Sequence, residues 1–432
     1  MRRILAGFGA AAVTAAGLAV PAHAFAGTPT AIHEWHGDQA GERFGFAVSQ
    51  LADIDGDGVQ EAIIGAARHQ DAAGSVTGHA DVRSGRTGAL IYRFDGAPGD
   101  RMGYSVADAG DVDGDGVADI AVGATAVGQL ACVSATGAGR LYVFSGRTGG
   151  RLLRVDGQSV GDQFGGAVGA AGDVNGDGYA DVVVGAPCHD GPGGVDAGAA
   201  YVVSGRNGRF LRTHHGAAAG DGFGWGAAGL GDVTGDGRSD YIVGAKDAGP
   251  GDRGLAYVYD ARKGKTKFVL SGDPRSADFG WYFVATAGDV DGDGVSDVYV
   301  GDFCADDVVG DCSAPLGQAY VFSGRTGLRL HLFTGVEPGD GAGPGRSAGD
   351  VDGDGHADIV VGLYASSAGA PLGGRVRIHS GRTGAVLFDH IGPRENETLG
   401  YDAVGLGDVD ADGRVDLLVS GALADVVYVL GT

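Results

Sequence analysis

Apolar and polar positions alternate along the chain in short runs, interrupted by Gly- and Asp-rich turns. From Ala89, ALIYRFDG alternates apolar and polar residues, the pattern of a strand with one exposed face. A Gly-rich loop, APGDRMG, leads to a second strand, YSVADAG. DIAVGA follows and is nearly all apolar, which predicts a strand covered on both faces. A long polar loop, TAVGQLACVSATGAG, separates it from RLYVFSGRTG, a fourth strand ending in a turn. That turn recurs as SGRTG at Ser84, Ser145, Ser323 and Ser380, as SGRNG at Ser204 and as ARKG at Ala261. Four short strands per unit with no helical period predict an all-β chain.

Between the second and third strands of each unit lies a nine-residue stretch, DVDGDGVAD at Asp111. Its copies begin at Asp53, Asp111, Asp173, Asp232, Asp289, Asp350 and Asp408, at steps of 58, 62, 59, 57, 61 and 58 residues. A fixed period of this size marks a repeat architecture. Four-stranded units repeated radially form a β-propeller, here of seven blades. An orphan strand, AIHEWHG at Ala31, precedes the first repeat, and VVYVLGT closes the last with no strand after it. The expected ring is therefore closed by the N-terminal strand, which completes the last blade. Length alone suggests two or three domains; the repeat argues for one, spanning 27–432.

The stretch has the chemistry of a cation loop. Acids at positions 1, 3 and 5 alternate through a tight turn, position 7 offers its carbonyl, and position 9 closes the site from the next strand. About six or seven oxygens of mixed type suit Ca²⁺ better than Mg²⁺. No Cys or His occupies an acid position, which argues against zinc or copper. The expected ligands are Asp53, Asp55, Asp57, Val59 and Glu61; Asp111, Asp113, Asp115, Val117 and Asp119; Asp173, Asn175, Asp177, Tyr179 and Asp181; Asp232, Thr234, Asp236, Arg238 and Asp240; Asp289, Asp291, Asp293, Val295 and Asp297; Asp350, Asp352, Asp354, His356 and Asp358; Asp408, Asp410, Asp412, Arg414 and Asp416. Up to seven Ca²⁺ are thus expected. The fourth site, with Thr234 at position 3 and the Arg238 side chain expected to add positive charge beside it, is the weakest. The seventh has Ala411 where the others have Gly.

The formal net charge is −24, and seven Ca²⁺ would offset about 14 of it. With 44% hydrophobic residues the chain is not an acidic disordered one. Its acidity disfavours nucleic acid and anionic membrane surfaces as partners. Residues 1–26 read as a signal peptide: Arg2 and Arg3, a small apolar run, then Ala22-His23-Ala24 or Ala24-Phe25-Ala26. No later apolar run is long enough to span a membrane. A secreted monomer is expected. Its four cysteines, Cys132, Cys188, Cys304 and Cys312, suggest two disulfides.

Phe44-Gly45, Phe164-Gly165, Phe223-Gly224 and Phe279-Gly280 precede ion loops, with Met102, Ala342 and Leu399 in place of Phe elsewhere. Gly185-Ala186-Pro187 follows one loop. Gly65-Ala66, Gly123-Ala124 and Gly244-Ala245 keep part of that element; Gly301-Asp302 and Gly362-Leu363 depart from it. This order resembles the FG-GAP repeats of the integrin α-subunit propeller. The resemblance implies that the ion loops and the SGRTG turns share one face. It implies that a protein or glycan ligand engages the other face, on loops holding Asp100, Asp162, Asp221, Asp340, Trp225, Trp281 and Tyr282. Phe46, Tyr104, Trp225, Trp281 and Tyr401 each follow a Phe-Gly or its equivalent, and by resemblance they ring the mouth of the central channel. Aromatic faces of this kind hold a Lys or Arg side chain or stack on a sugar; blade packing is the competing role. No nucleophile elbow, phosphate loop or acid/base pair stands out, so a non-catalytic adhesion or recognition module is expected. A lectin or a polysaccharide-degrading enzyme on the same scaffold is the alternative.

Overall fold

The computed structural model describes residues 29–126, 132, 136–305 and 312–432. The expected signal peptide lies outside them. The described residues form 28 strands and no helix, in seven four-stranded antiparallel sheets. Six blades are consecutive in sequence: 44–95, 102–156, 167–215, 223–270, 284–334 and 342–391. The seventh joins Ala403–Gly407, Asp416–Gly421 and Val426–Leu430 to Ala31–His36, which pairs antiparallel with Val426–Leu430. The ring is therefore closed by the N-terminal strand, as expected.

Burial follows from each strand's place in its blade. The first strands touch one another around the axis. The second strands, such as Asp119–Ala124 and Asp181–Ala186, are buried at every position because a neighbouring blade covers each face. The fourth strands lie at the rim and are only partly buried, as in Leu90–Asp95. The cores consequently sit between blades. One of them combines Trp35, Val404 and Leu418 of the last blade with Phe44, Val48 and Ile64 of the first.

The paired glycines of the repeat have a packing cause. A Cβ on Gly123 would lie 2.1 Å from the Gly165 carbonyl oxygen, and one on Gly185 1.9 Å from that of Gly224. The second-strand Gly of one blade thus rests on the Phe-Gly glycine of the next, with no room for a side chain. The Phe beside that glycine fills the core: Phe44, Phe164, Phe223 and Phe279 are all buried.

Candidate functional site: the ion loops and the channel mouth

Position 1 of each ion loop organises the turn. Asp111 accepts hydrogen bonds from the backbone N–H groups of Gly114 (2.7 Å), Asp115 (3.0 Å) and Gly116 (2.9 Å). Equivalent bonds converge on Asp173, Asp232 and Asp289. The fold requires a left-handed residue at position 4: Gly114 has φ 79° and Ala411, in the same place, 64°. Carboxylate oxygens of Asp53, Asp55, Asp57 and Glu61 lie within 4.8 Å of one another, as do those of Asp111, Asp113 and Asp115.

Position 9 does more than close the loop. Asp119 is fully buried. One of its oxygens accepts from Val112 N–H (2.8 Å) and the other from Gly146 N–H (3.0 Å), in the turn after the third strand. Asp181, Asp297 and Asp358 repeat this latch with Gly205, Gly324 and Gly381. Burial, reinforced by the neighbouring loop acids, pushes Asp119, Asp181, Asp297, Asp358 and Asp416 up to about 6 and Glu61 up to about 8. Keeping such groups charged needs positive charge close by. The Arg of the turn supplies some at position 5: Arg147 donates from Nε to Asp115 Oδ2 (2.7 Å) and from Nη2 to the Asp115 carbonyl (2.7 Å). Arg325 holds Asp293 in the same way, and Arg86 reaches the Asp57 carbonyl. The loops and these turns therefore share one face. In the fourth loop the turn is ARKG, and its Arg262 is not bonded to the position-5 acid; there Asp236 Oδ2 is buried with no hydrogen-bond partner. An orphan buried carboxylate oxygen beside other carboxylates fits a cation.

The side chain at position 7 points elsewhere than expected. Arg238 leaves its own loop and donates to the carbonyl of Val174 in the third loop, where its guanidinium covers Gly176. Its charge therefore bears on the third site, not the fourth. Tyr179 covers Gly114 and His356 covers Gly292 in the same manner.

At the other end of the channel the five aromatic residues come together, and the structure adds Tyr282, Phe303 and Tyr364. Phe46 lies 5.0 Å from Tyr104 and 5.8 Å from Tyr401, ring centre to ring centre. Trp225 and Trp281 are 6.0 Å apart, and Trp281 stacks on Tyr282 at 5.1 Å. Tyr104 and Trp225 are each only 3% exposed. The rings form a packed plug more than an open cage. Tyr282 completes it from across the channel, its hydroxyl 2.7 Å from that of Tyr104. Tyr282 is an inserted residue. Phe279 precedes Asp289 by ten positions, where Phe223 precedes Asp232 by nine, and Tyr282 takes a left-handed φ of 57° to fit. The one-residue spacing difference was the available sequence signal. Below the plug is a cavity of about 750 Å³ lined by the first strands.

Of the loop acids, Asp100 accepts from the Tyr142 hydroxyl and Arg140; Asp162 contacts His189, and Asp221 and Asp340 accept backbone N–H groups. They brace their loops. Both disulfides are present, Cys132–Cys188 and Cys304–Cys312. No helix among the described residues is long and apolar enough to cross a membrane.

The FG-GAP repeat family model matches residues 102–144 and 164–203, and that of the FG-GAP-like repeat matches 232–300. Among individual proteins, integrin alpha-PS2 of Drosophila melanogaster is 31% identical over 228 residues, 48% of this chain and 16% of that protein. Integrin alpha-5 of Xenopus laevis is 31% identical over 256 residues, 55% and 23% of the two chains. Integrin alpha pat-2 of Caenorhabditis briggsae is 33% identical over 232 residues, 47% and 18%. The matched region thus spans less than a quarter of each of these relatives. The chain carries FG-GAP repeats, arranged in a seven-bladed propeller that resembles the N-terminal propeller of integrin α-subunits.

Proposed function

We propose that this chain is a secreted, calcium-stabilised recognition module of the adhesion type that performs no catalysis. The observation that carries the reading is the acidic loop that recurs seven times in the sequence; in the first and second copies its acids are gathered within 4.8 Å of one another although they repel each other. Calcium, held by acids at positions 1, 3, 5 and 9 with the position-7 carbonyl, would supply the missing positive charge. The two disulfides and the N-terminal segment agree with export. The integrin-like propeller supports adhesion or recognition over other uses of the fold. The ligand, a protein or a glycan, is assigned to the face opposite the ion loops, and the chain acts as a monomer. Rings packed on one another offer little open platform for a sugar, which weighs against the lectin alternative.

The test is a protein and glycan binding array in CaCl₂, followed by incubation of every bound polysaccharide to look for cleavage. Binding without cleavage, weakened by Phe46→Ala or Tyr401→Ala, is expected. Release of oligosaccharides would overturn the non-catalytic reading.

A further inference from the structure

We propose that the channel mouth opposite the ion loops receives an anionic group, the carboxylate side chain of an acidic protein segment. This rests on the assignment of that face to recognition. It reverses the polarity that the aromatic residues alone suggest.

Arg43 and Arg68 line the cavity at the aromatic end. Arg101 is 8% exposed, with its guanidinium carbon 4.9 Å from the centre of the Tyr104 ring. Arg68 repels both Arg43 and Arg101, in addition to the burial that already disfavours their charge. Among the described residues, no carboxylate lies within ion-pair distance of Arg43 or Arg68. The nearby acids are engaged elsewhere. Asp425 attracts Arg43 from a distance, but its oxygens accept backbone N–H groups of Gly41, Arg43 and Phe44. Glu42 contacts His69 and accepts from Asp38 N–H. Asp402, in the channel wall, pairs with Arg346 and accepts from Val48 N–H. A chain of net charge −24 thus gathers cations at this mouth and, among the described residues, leaves two of them without an ion-pair partner.

The backbone points the same way. Arg43 and Arg101 occupy the position before the Phe-Gly pair with φ of 63° and 55°. The equivalent positions in the fourth and sixth blades are Gly222 and Gly341, both at 61°. A left-handed φ is strained for any residue with a Cβ, and such strain tends to persist where function needs it. Gln163 and Thr398 tolerate the same geometry, so the strain supports the argument without carrying it.

A partner's Lys or Arg would find the Tyr104 ring already facing Arg101 and would meet like charge. A carboxylate would find guanidinium forks suited to bidentate hydrogen bonds. A protein side chain fits better than an acidic sugar because Tyr104 and Trp225 are buried in mutual ring contacts and present no stacking face.

The experiment titrates three labelled probes in saturating CaCl₂: a Gly/Ser peptide bearing Asp, the same peptide with Lys for Asp, and oligogalacturonate. The Asp peptide should bind, more weakly at high salt. The Arg43→Gly, Arg68→Ala double variant should lose about tenfold or more in affinity. Arg43→Gly relieves backbone strain, so unchanged melting of the variant shows that folding is not the cause. Binding of the Lys peptide, undiminished in the variant, would overturn the polarity while leaving the recognition face standing. Preference for oligogalacturonate would overturn the protein partner. Failure of all three probes to bind would overturn the inference altogether.

Discussion

The two faces of the ring are built from the same seven repeats, yet they vary to different degrees. On one face the position-1 Asp bonds and the left-handed fourth residue recur from blade to blade. On the other, the residue before each Phe-Gly or its equivalent is Arg in two blades, Gly in two, and Gln, Asp and Thr in one each. One blade there also inserts Tyr282 into the channel. A cation loop tolerates little change, because its oxygens must all meet one point. Loops that cap a blade tolerate much, because only their backbone ends are fixed. Under the proposed function, the repeating face supplies stability and the varied face specificity.

The largest expected effect separates the faces outright. Several sites held at about 100 times their Kd would together contribute on the order of 10 kcal/mol, since each adds about 2.7 kcal/mol. Excess chelator should lower the melting temperature by on the order of 10 °C or more, as differential scanning calorimetry would register. Equal melting in calcium and in chelator would remove the ion loops from the stability account.

Tyr282→Gly addresses the plug. It removes ring contacts with Trp225 and Trp281 and the hydroxyl contact with Tyr104. It also relieves the left-handed strain. A net loss of about 2 kcal/mol is expected in denaturant unfolding, with calcium affinity unchanged. A shift in calcium affinity would show that the faces are coupled.

Acid should act through His79, which burial, with Arg93 and His69 adding to it, pushes down to about 3. Arg93 donates toward its Nδ1, Asp81 lies 3.7 Å from its Nε2 and His69 packs edge-on. A base whose pKa is depressed by folding stabilises the fold above its unfolded pKa, which for His is about 6.5. That contribution is lost as pH falls from there toward about 3. In saturating calcium, His79→Gln should flatten the pH dependence of stability by about 1.4 kcal/mol per pH unit below that point. Parallel curves for wild type and variant would contradict the assignment.

The smallest effect is a gain. Ala411 sits at φ 64° where its counterparts are Gly. Ala411→Gly should stabilise the chain by about 1 kcal/mol, or sharpen calcium binding at the seventh loop. A loss of stability would mean that the loop does not need its left-handed turn.

Much of this was legible in the sequence because it is local. The nine-residue loop, the mixed polarity of the rim strands and the nearly all-apolar second strand are written in consecutive residues, and the period gave the blade count. What was not legible depends on neighbours in space. The position-9 latch joins Asp119 to Gly146, 27 residues away. Arg238 reads as a charge on its own site until the ring places it over Gly176. The cations at the mouth lie apart in sequence, so no window of residues collects Arg43, Arg68 and Arg101. Tyr282 did leave a mark, a spacing of ten where nine is the rule, but only the ring shows that the extra residue spans the channel.

The central claim, that one face is a set of calcium sites on which the fold depends, is tested most directly by counting ions. Equilibrium dialysis against calcium, on wild type and on Asp111→Ala with Asp289→Ala, reads the number of Ca²⁺ bound per chain. The account predicts up to seven for wild type, two fewer for the double variant, and a lower melting temperature at the same calcium concentration. A wild type that binds no calcium, or a double variant that binds as much as wild type, would contradict it.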